Sequence, residues 1–258
     1  MNNATDGTAM TASFQLYSAR NHGTWDEVFA MLARLGFTRV EGFGGNYDDP
    51  ARTRALMDAH GMTMPSGHFF PIDRFEEDFV ASIAAARTLG MDRLYCPAPG
   101  DDLRAGADAA AWTAFARRLE TAAQRVNDAG LRFGWHNHHW EFLELPVGGT
   151  AMELLLEHAP SMEWEMDLAW VVRGGADPLA WIAAHGARIT AAHVKDIAAQ
   201  GQCADEDGWA DLGHGTIDWA GCMTALRGVG VDLFVLEHDK PSDAERFARR
   251  SVETFRKL

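Results

Sequence analysis

The chain has 258 residues, 47% of them apolar, and a formal net charge of −14. The apolar share fills one sizeable core, while the acidic balance, with no run of Lys or Arg, speaks against a nucleic-acid partner. Three widely spaced cysteines, Cys96, Cys203 and Cys222, make no CxxC pair and leave an odd thiol, which speaks against a zinc or disulfide framework.

Residues 1–12 open without a basic region or an apolar run, so they are expected to be a mobile tail and not a signal peptide. No stretch approaches the length of a membrane span, and a cytoplasmic protein without membrane partners is expected.

From residue 13 onward, β-type runs alternate with helical patterns. Strands are predicted near 13–17, 37–41, 62–67, 91–96, 131–137, 162–167, 188–194 and 231–237. Helices are predicted near 24–35, 50–60, 73–89, 107–129, 150–158, 177–185, 216–227 and 241–256. Thr24…Glu27, Thr150…Glu153 and Ser242…Glu245 fit the capping box, and His60, His158 and His185 suit helix carboxyl ends. A glycine between a helix end and the next strand recurs, as at Leu35-Gly36-Phe37 and Ala129-Gly130-Leu131. Eight such units in this length predict a single α/β domain over 13–258, a closed (β/α)8 TIM barrel. The stretch from Ala198 to Gly213 reads as a long loop, and Gly42-Phe43-Gly44-Gly45 and Arg173-Gly174-Gly175 as Gly-rich loops with only a weak anion-binding signal.

Most of the strands end on a residue that binds metals or moves protons, the habit of a barrel whose chemistry lies at the strands' carboxyl ends. His136-Asn137-His138-His139-Trp140-Glu141-Phe142 carries the strongest signal. Residues two apart on a strand face the same way, so His136 and His138 are both expected to point into the barrel mouth, with Glu141 folding back over it. Asp167, His193-Val194-Lys195-Asp196 and Glu237 end later strands. Glu141, Asp167, His193 and Glu237 together make a set of three carboxylates and one imidazole. Such a set suits one divalent ion, Mn²⁺, Mg²⁺ or Co²⁺, with Zn²⁺ as a further option.

The chain resembles the xylose-isomerase-like barrel superfamily, in its sugar phosphate isomerase/epimerase branch. HNHHWEF at 136–142, MDLAW at 166–170, HVKD at 193–196, LGHGTIDW at 212–219 and LEHD at 236–239 carry the resemblance; Glu41 and Gly67-His68 add weaker agreement. It implies a metal held by Glu141, Asp167, His193 and Glu237. Two departures stand out. His136 sits where ketose epimerases of the superfamily carry a Glu, and His214 where the LGxGxxDW segment usually has one.

The expected activity is that of a metal-dependent isomerase or epimerase of a small sugar or polyol, working through an enediolate. His138 and Glu237 are the expected base and acid, with His136 beside them and Lys195 stabilising the oxyanion. Glu41, His68 and Trp170 are expected to line the sugar pocket. The same site would also serve a dehydratase or lyase acting on a keto-inositol or 3-keto-glycoside, and a non-catalytic sugar-binding barrel is the remaining alternative. The sequence leaves a homo-oligomer open.

Overall fold

The computed structural model describes residues 11–104 and 106–258, so most of the expected tail lies outside the described residues; Ala12, at its end, is already buried. Eight parallel strands close into a barrel: β1 (Ser13–Gln15), β2 (Arg39–Gly42), β3 (Thr63–His68), β4 (Arg93–Cys96), β5 (Arg132–His136), β6 (Glu163–Asp167), β7 (Ile189–Val194) and, after a hairpin, β10 (Leu233–Leu236). β1 pairs with both β2 and β10, which closes the ring. The predicted (β/α)8 barrel is therefore the fold, and every predicted barrel strand is present.

The helices are α1 (Trp25–Arg34), α2 (Pro50–Ala59), α3 (Asp73–Glu76), α4 (Phe79–Leu89), α5 (Asp101–Arg104), α6 (Ala109–Asp128), α7 (Ala151–His158), α8 (Leu168–Arg173), α9 (Pro178–His185), α10 (Trp219–Gly228) and α11 (Ala244–Phe255). Thr24 and Thr150 form full capping boxes with Glu27 and Glu153, each worth about 1 kcal/mol. Ser242 does not cap its helix. Asp243 takes that place by accepting from the Arg246 amide, and the Ser242 hydroxyl donates to Glu206 instead.

The predicted helix 73–89 is split in two, and the stretch predicted as a loop over 198–213 contains β9 (Trp209–Ala210), paired antiparallel with β8 (Asp196–Ile197). Asp196 builds the turn beyond it. Its carboxylate accepts backbone amides of Ile197 (2.9 Å), Gly213 (3.0 Å), Gly215 (3.1 Å) and Ile217 (3.1 Å), which explains the HVKD aspartate and the glycines of LGHGTIDW together.

Period-two alternation sorts each strand into a helix-facing and a barrel-facing set. On β5, Phe133 and Trp135 pack edge-on against Phe75 of α3 and Phe115 of α6. On β4, Tyr95 turns inward and packs with Ala191, Leu233 and Val235. Gly134 permits this: a Cβ there would lie 2.6 Å from the Tyr95 ring. The apolar layer supports the polar layers above it. Among the described residues, no helix is long and apolar enough to cross a membrane.

Candidate metal and active site

Above Tyr95 the barrel interior turns polar. Gln15, Glu41, Ser66 and Glu165 are fully buried. Gln15 donates to Glu41 Oε1 (2.8 Å), and the Ser66 hydroxyl donates to its other oxygen. Three imidazole nitrogens converge on Glu165 Oε2: His68 Nε2 at 2.6 Å, His136 Nδ1 at 3.1 Å and His193 Nε2 at 3.3 Å. His193 Nε2 also lies 2.7 Å from Glu41 Oε1. Burial alone would push Glu165 up, but the facing His193 and His68 outweigh it and hold the carboxyl well below its ordinary range. Burial would likewise favour a neutral His193. Glu165, Glu237 and Glu41 reverse that and raise it well above the usual imidazole value.

The uppermost layer carries Asp167, Lys195, Glu237 and Asp239. Glu237 Oε2 lies 2.9 Å from His193 Nδ1. Lys195, fully buried, places Nζ 2.9 Å from Asp167, 3.0 Å from Glu237 and 2.7 Å from Asp239, over the rings of Trp170 and Trp209. Burial would strip its proton; three carboxylates outweigh that and raise its pKa. Asn137 explains the middle of the HNH motif. Its Oδ1 accepts from the Asp167 amide (2.9 Å) and the Trp164 indole (2.8 Å), tying the end of β5 to the end of β6.

Two overlapping groups of donor atoms each lie within 4.8 Å of one another: His68, His136, Glu165 and His193 below, and His136, Asp167, His193 and Glu237 above. Three of the four expected ligands therefore meet in the upper group. Glu141 is not brought into either. It sits on the 3₁₀ turn Trp140–Phe142, and its carboxylate accepts from Trp135 Nε1 (3.1 Å) and the His138 amide (3.0 Å), so it fastens that turn behind β5. Burial pushes its pKa up to about 8. His136 stands in its place. The upper group, two imidazoles and two carboxylates with every member buried, fits a divalent ion by its donor chemistry.

A cavity of about 410 Å³ opens above these layers. His68, His136, His138, Glu237 and Asp239 form its polar side. His138 lies face to face with Trp140, centroids 4.4 Å apart; burial lowers its pKa well below the usual value, and its Nδ1 makes no hydrogen bond. Of the three residues expected to line the sugar pocket, His68 does so. Glu41 lies below the cavity, and Trp170 packs between Lys195 and His138. Lys195 is spent on carboxylates and does not line the cavity. Glu165 was missed in the sequence, although Glu163-Trp164-Glu165-Met166-Asp167 alternates so that Glu165 and Asp167 share a face. Asp239, two residues beyond Glu237, was missed likewise.

The chain shows a consistent set of relatives by structure. It is similar to a sugar phosphate isomerase/epimerase from Parabacteroides distasonis, at 19% identity over 99% of this chain and 96% of that one, with a TM-score of 0.81. It is similar to the probable 3-DHS dehydratase AsbF from Bacillus anthracis, at 12% identity over 95% and 98%, with a TM-score of 0.73. An AP endonuclease, family 2, from Brucella melitensis aligns at 16% identity over 92% and 96%, with a TM-score of 0.69. At these identities the likeness is one of fold. No curated protein matches the chain. The family model described as xylose isomerase-like TIM barrel matches residues 29–258, and the chain belongs to that family.

Proposed function

We propose that the protein is a divalent-metal-dependent isomerase or epimerase of a small sugar or polyol, acting by proton transfer next to a carbonyl. The observation that carries this reading is the meeting of two features at one wall. The buried donor group reaches the cavity through His136 and Glu237, and beside them stands His138, a neutral imidazole that lines the cavity. A divalent ion held by His136, Asp167, His193 and Glu237 would supply Lewis acidity toward a carbonyl oxygen and a neighbouring hydroxyl.

The chain's own residues do the rest. His138, being neutral, accepts the proton alpha to the carbonyl; the C–H pair becomes the C=C bond of an enediolate, and negative charge gathers on oxygen. Return of that proton from His138 to the adjacent carbon, while the hydroxyl proton passes to the neighbouring oxygen, completes isomerisation; delivery of a proton from solvent to the opposite face of the same carbon completes epimerisation. Lys195 acts as a positioning residue: it holds Glu237 and Asp239 in place and sets a buried positive charge beneath the developing oxyanion. Glu165 and Glu41 accept hydrogen bonds from His136 Nδ1 and His193 Nε2, which leaves the other ring nitrogen of each for the ion; His193 Nδ1 faces Glu237.

Loss of a leaving group from the enediolate would make the same site a lyase or dehydratase, and the open side of the cavity leaves room for one. Incubation of the Mn²⁺-loaded protein in D₂O with a panel of ketoses and keto-glycosides tests the reading. The expected result is deuterium at the carbon next to the carbonyl, lost in His138→Ala. No incorporation from any member, with any of Mn²⁺, Mg²⁺ or Co²⁺, overturns it.

A further inference from the structure

The cavity has two chemistries on two sides. Its polar residues come from the ends of β3, β5 and β10. The rest of the lining is rich in rings, Tyr17, Phe43, Phe70 and Trp140, from the segments after β1, β2, β3 and β5. No Ser, Thr, Asn or Gln lines the cavity among the described residues. A polyol can therefore satisfy its hydroxyls at the floor, but the outer wall offers it few partners.

Two further observations point to what that wall takes. Among the large hydrophobic side chains left exposed, the aromatic ones are Tyr17 (37%) and Phe70 (44%), and both line this cavity. Arg104 binds the wall together: its guanidinium lies 5.0 Å from the Trp140 centroid and 5.7 Å from that of Phe70, and its Nε donates to Pro99 O (3.1 Å). Trp140, stacked on His138 and covered by Arg104, is the fixed back of this wall, and Tyr17 and Phe70 present ring surface to solvent at its mouth. Exposed apolar area is costly there unless a ligand covers it, and cavities of this size enclose molecules larger than the polar floor alone would hold.

We propose that the substrate is a keto-sugar bearing a flat aryl group, its sugar on the polar floor and its aryl ring against Tyr17 and Phe70. This rests on the sugar reading above and names the substrate class within it. An aryl glycoside would lay its ring against the wall by offset or edge-on stacking, the geometry preferred by aromatic pairs.

Calorimetry on the Mn²⁺-loaded full chain, with both anomers of 4-nitrophenyl glucoside and of methyl glucoside, separates the possibilities. These lack the ketone and cannot turn over. The expected result is at least tenfold tighter binding of a nitrophenyl compound than of its methyl counterpart, with Phe70→Ala and Tyr17→Ala each cutting that ratio severalfold. Equal affinities overturn the aryl proposal and leave the sugar reading standing. A ratio unchanged in both variants also overturns it, because the preference then arises elsewhere. Binding of none of the four compounds overturns the aryl proposal as well, and deuterium exchange with the ketose panel then decides the sugar reading separately.

Discussion

At the amino-terminal end of the barrel, charge is matched cation to anion, with Arg93 buried and its partner Asp232 at the surface. Arg93 meets Asp232 at 2.9 Å and the Thr190 carbonyl at 2.6 Å; Arg132 meets Glu163 at 2.7 Å, and Thr190 Oγ1 donates to the other Glu163 oxygen. At the carboxyl-terminal end, Glu41, Glu165, Asp167, Glu237 and Asp239 share one lysine and a cluster of histidines. The first arrangement needs nothing further. The second is short of positive charge, and His68 and His193 are drawn toward the cationic form to supply it. Unpaired buried charge is costly, so the contrast separates the end whose charges are paired from the end whose buried donors could hold a cation. The same division holds generally in barrels of this kind, whose chemistry gathers at the carboxyl ends of the strands.

The largest effect expected is on turnover. Glu237→Gln keeps the shape but removes a charge that touches both His193 and Lys195. Deuterium exchange into substrate should fall about 10²- to 10³-fold, the scale of losing one preorganised charge-stabilising group, while circular dichroism shows an intact fold. Arg93→Met should do the reverse. It breaks the lower pairing and should cost roughly 1.5–3 kcal/mol of stability in urea unfolding, as for hydrogen bonds to charged groups, with the exchange rate unchanged.

Smaller in effect, Glu165→Gln tests whether the middle layer belongs to the upper end. Mn²⁺ affinity should drop by about 10- to 100-fold, the usual consequence of losing a carboxylate behind a ligating histidine. An unchanged affinity would make Glu165 a purely structural group.

The smallest effect concerns acid stability away from the site. Burial would raise Glu206, but hydrogen bonds from Ser242 and Arg246 outweigh it and lower its pKa to about 2. A depressed carboxylate stabilises the fold above its unfolded value near 4.3, and that contribution is lost as pH falls through the folded value. Between about pH 4 and pH 2 the wild-type melting temperature should therefore fall more steeply than that of Glu206→Gln.

The barrel was legible because it repeats. Apolar runs bounded by glycine turns and capped helices recur often enough that the ring closes without any single boundary being right. Ser242 shows the limit. It fits the capping pattern as well as Thr24 does, but Glu206, distant in sequence, claims its hydroxyl. The site divides along the same line. Asp167, His193 and Glu237 follow directly from strand ends. Glu141 was misplaced because a 3₁₀ turn carries its side chain back to Trp135, and residue order does not report which way such a turn folds. Glu165 could have been found by period two. Pairing of a buried Lys195 with carboxylates could be expected, but not which ones, because Asp167, Glu237 and Asp239 come from two other strand ends that only the closed barrel brings together.

Metal titration tests most directly whether the charge-deficient end receives a cation. Metal-stripped wild type and Glu237→Gln are titrated with Mn²⁺ by calorimetry at neutral pH. One site per chain in the wild type, abolished or strongly weakened in the variant, is the result expected from the His136, Asp167, His193 and Glu237 group. No binding in the wild type, or equal binding in both proteins, would contradict it and leave these residues as a buried hydrogen-bonded network.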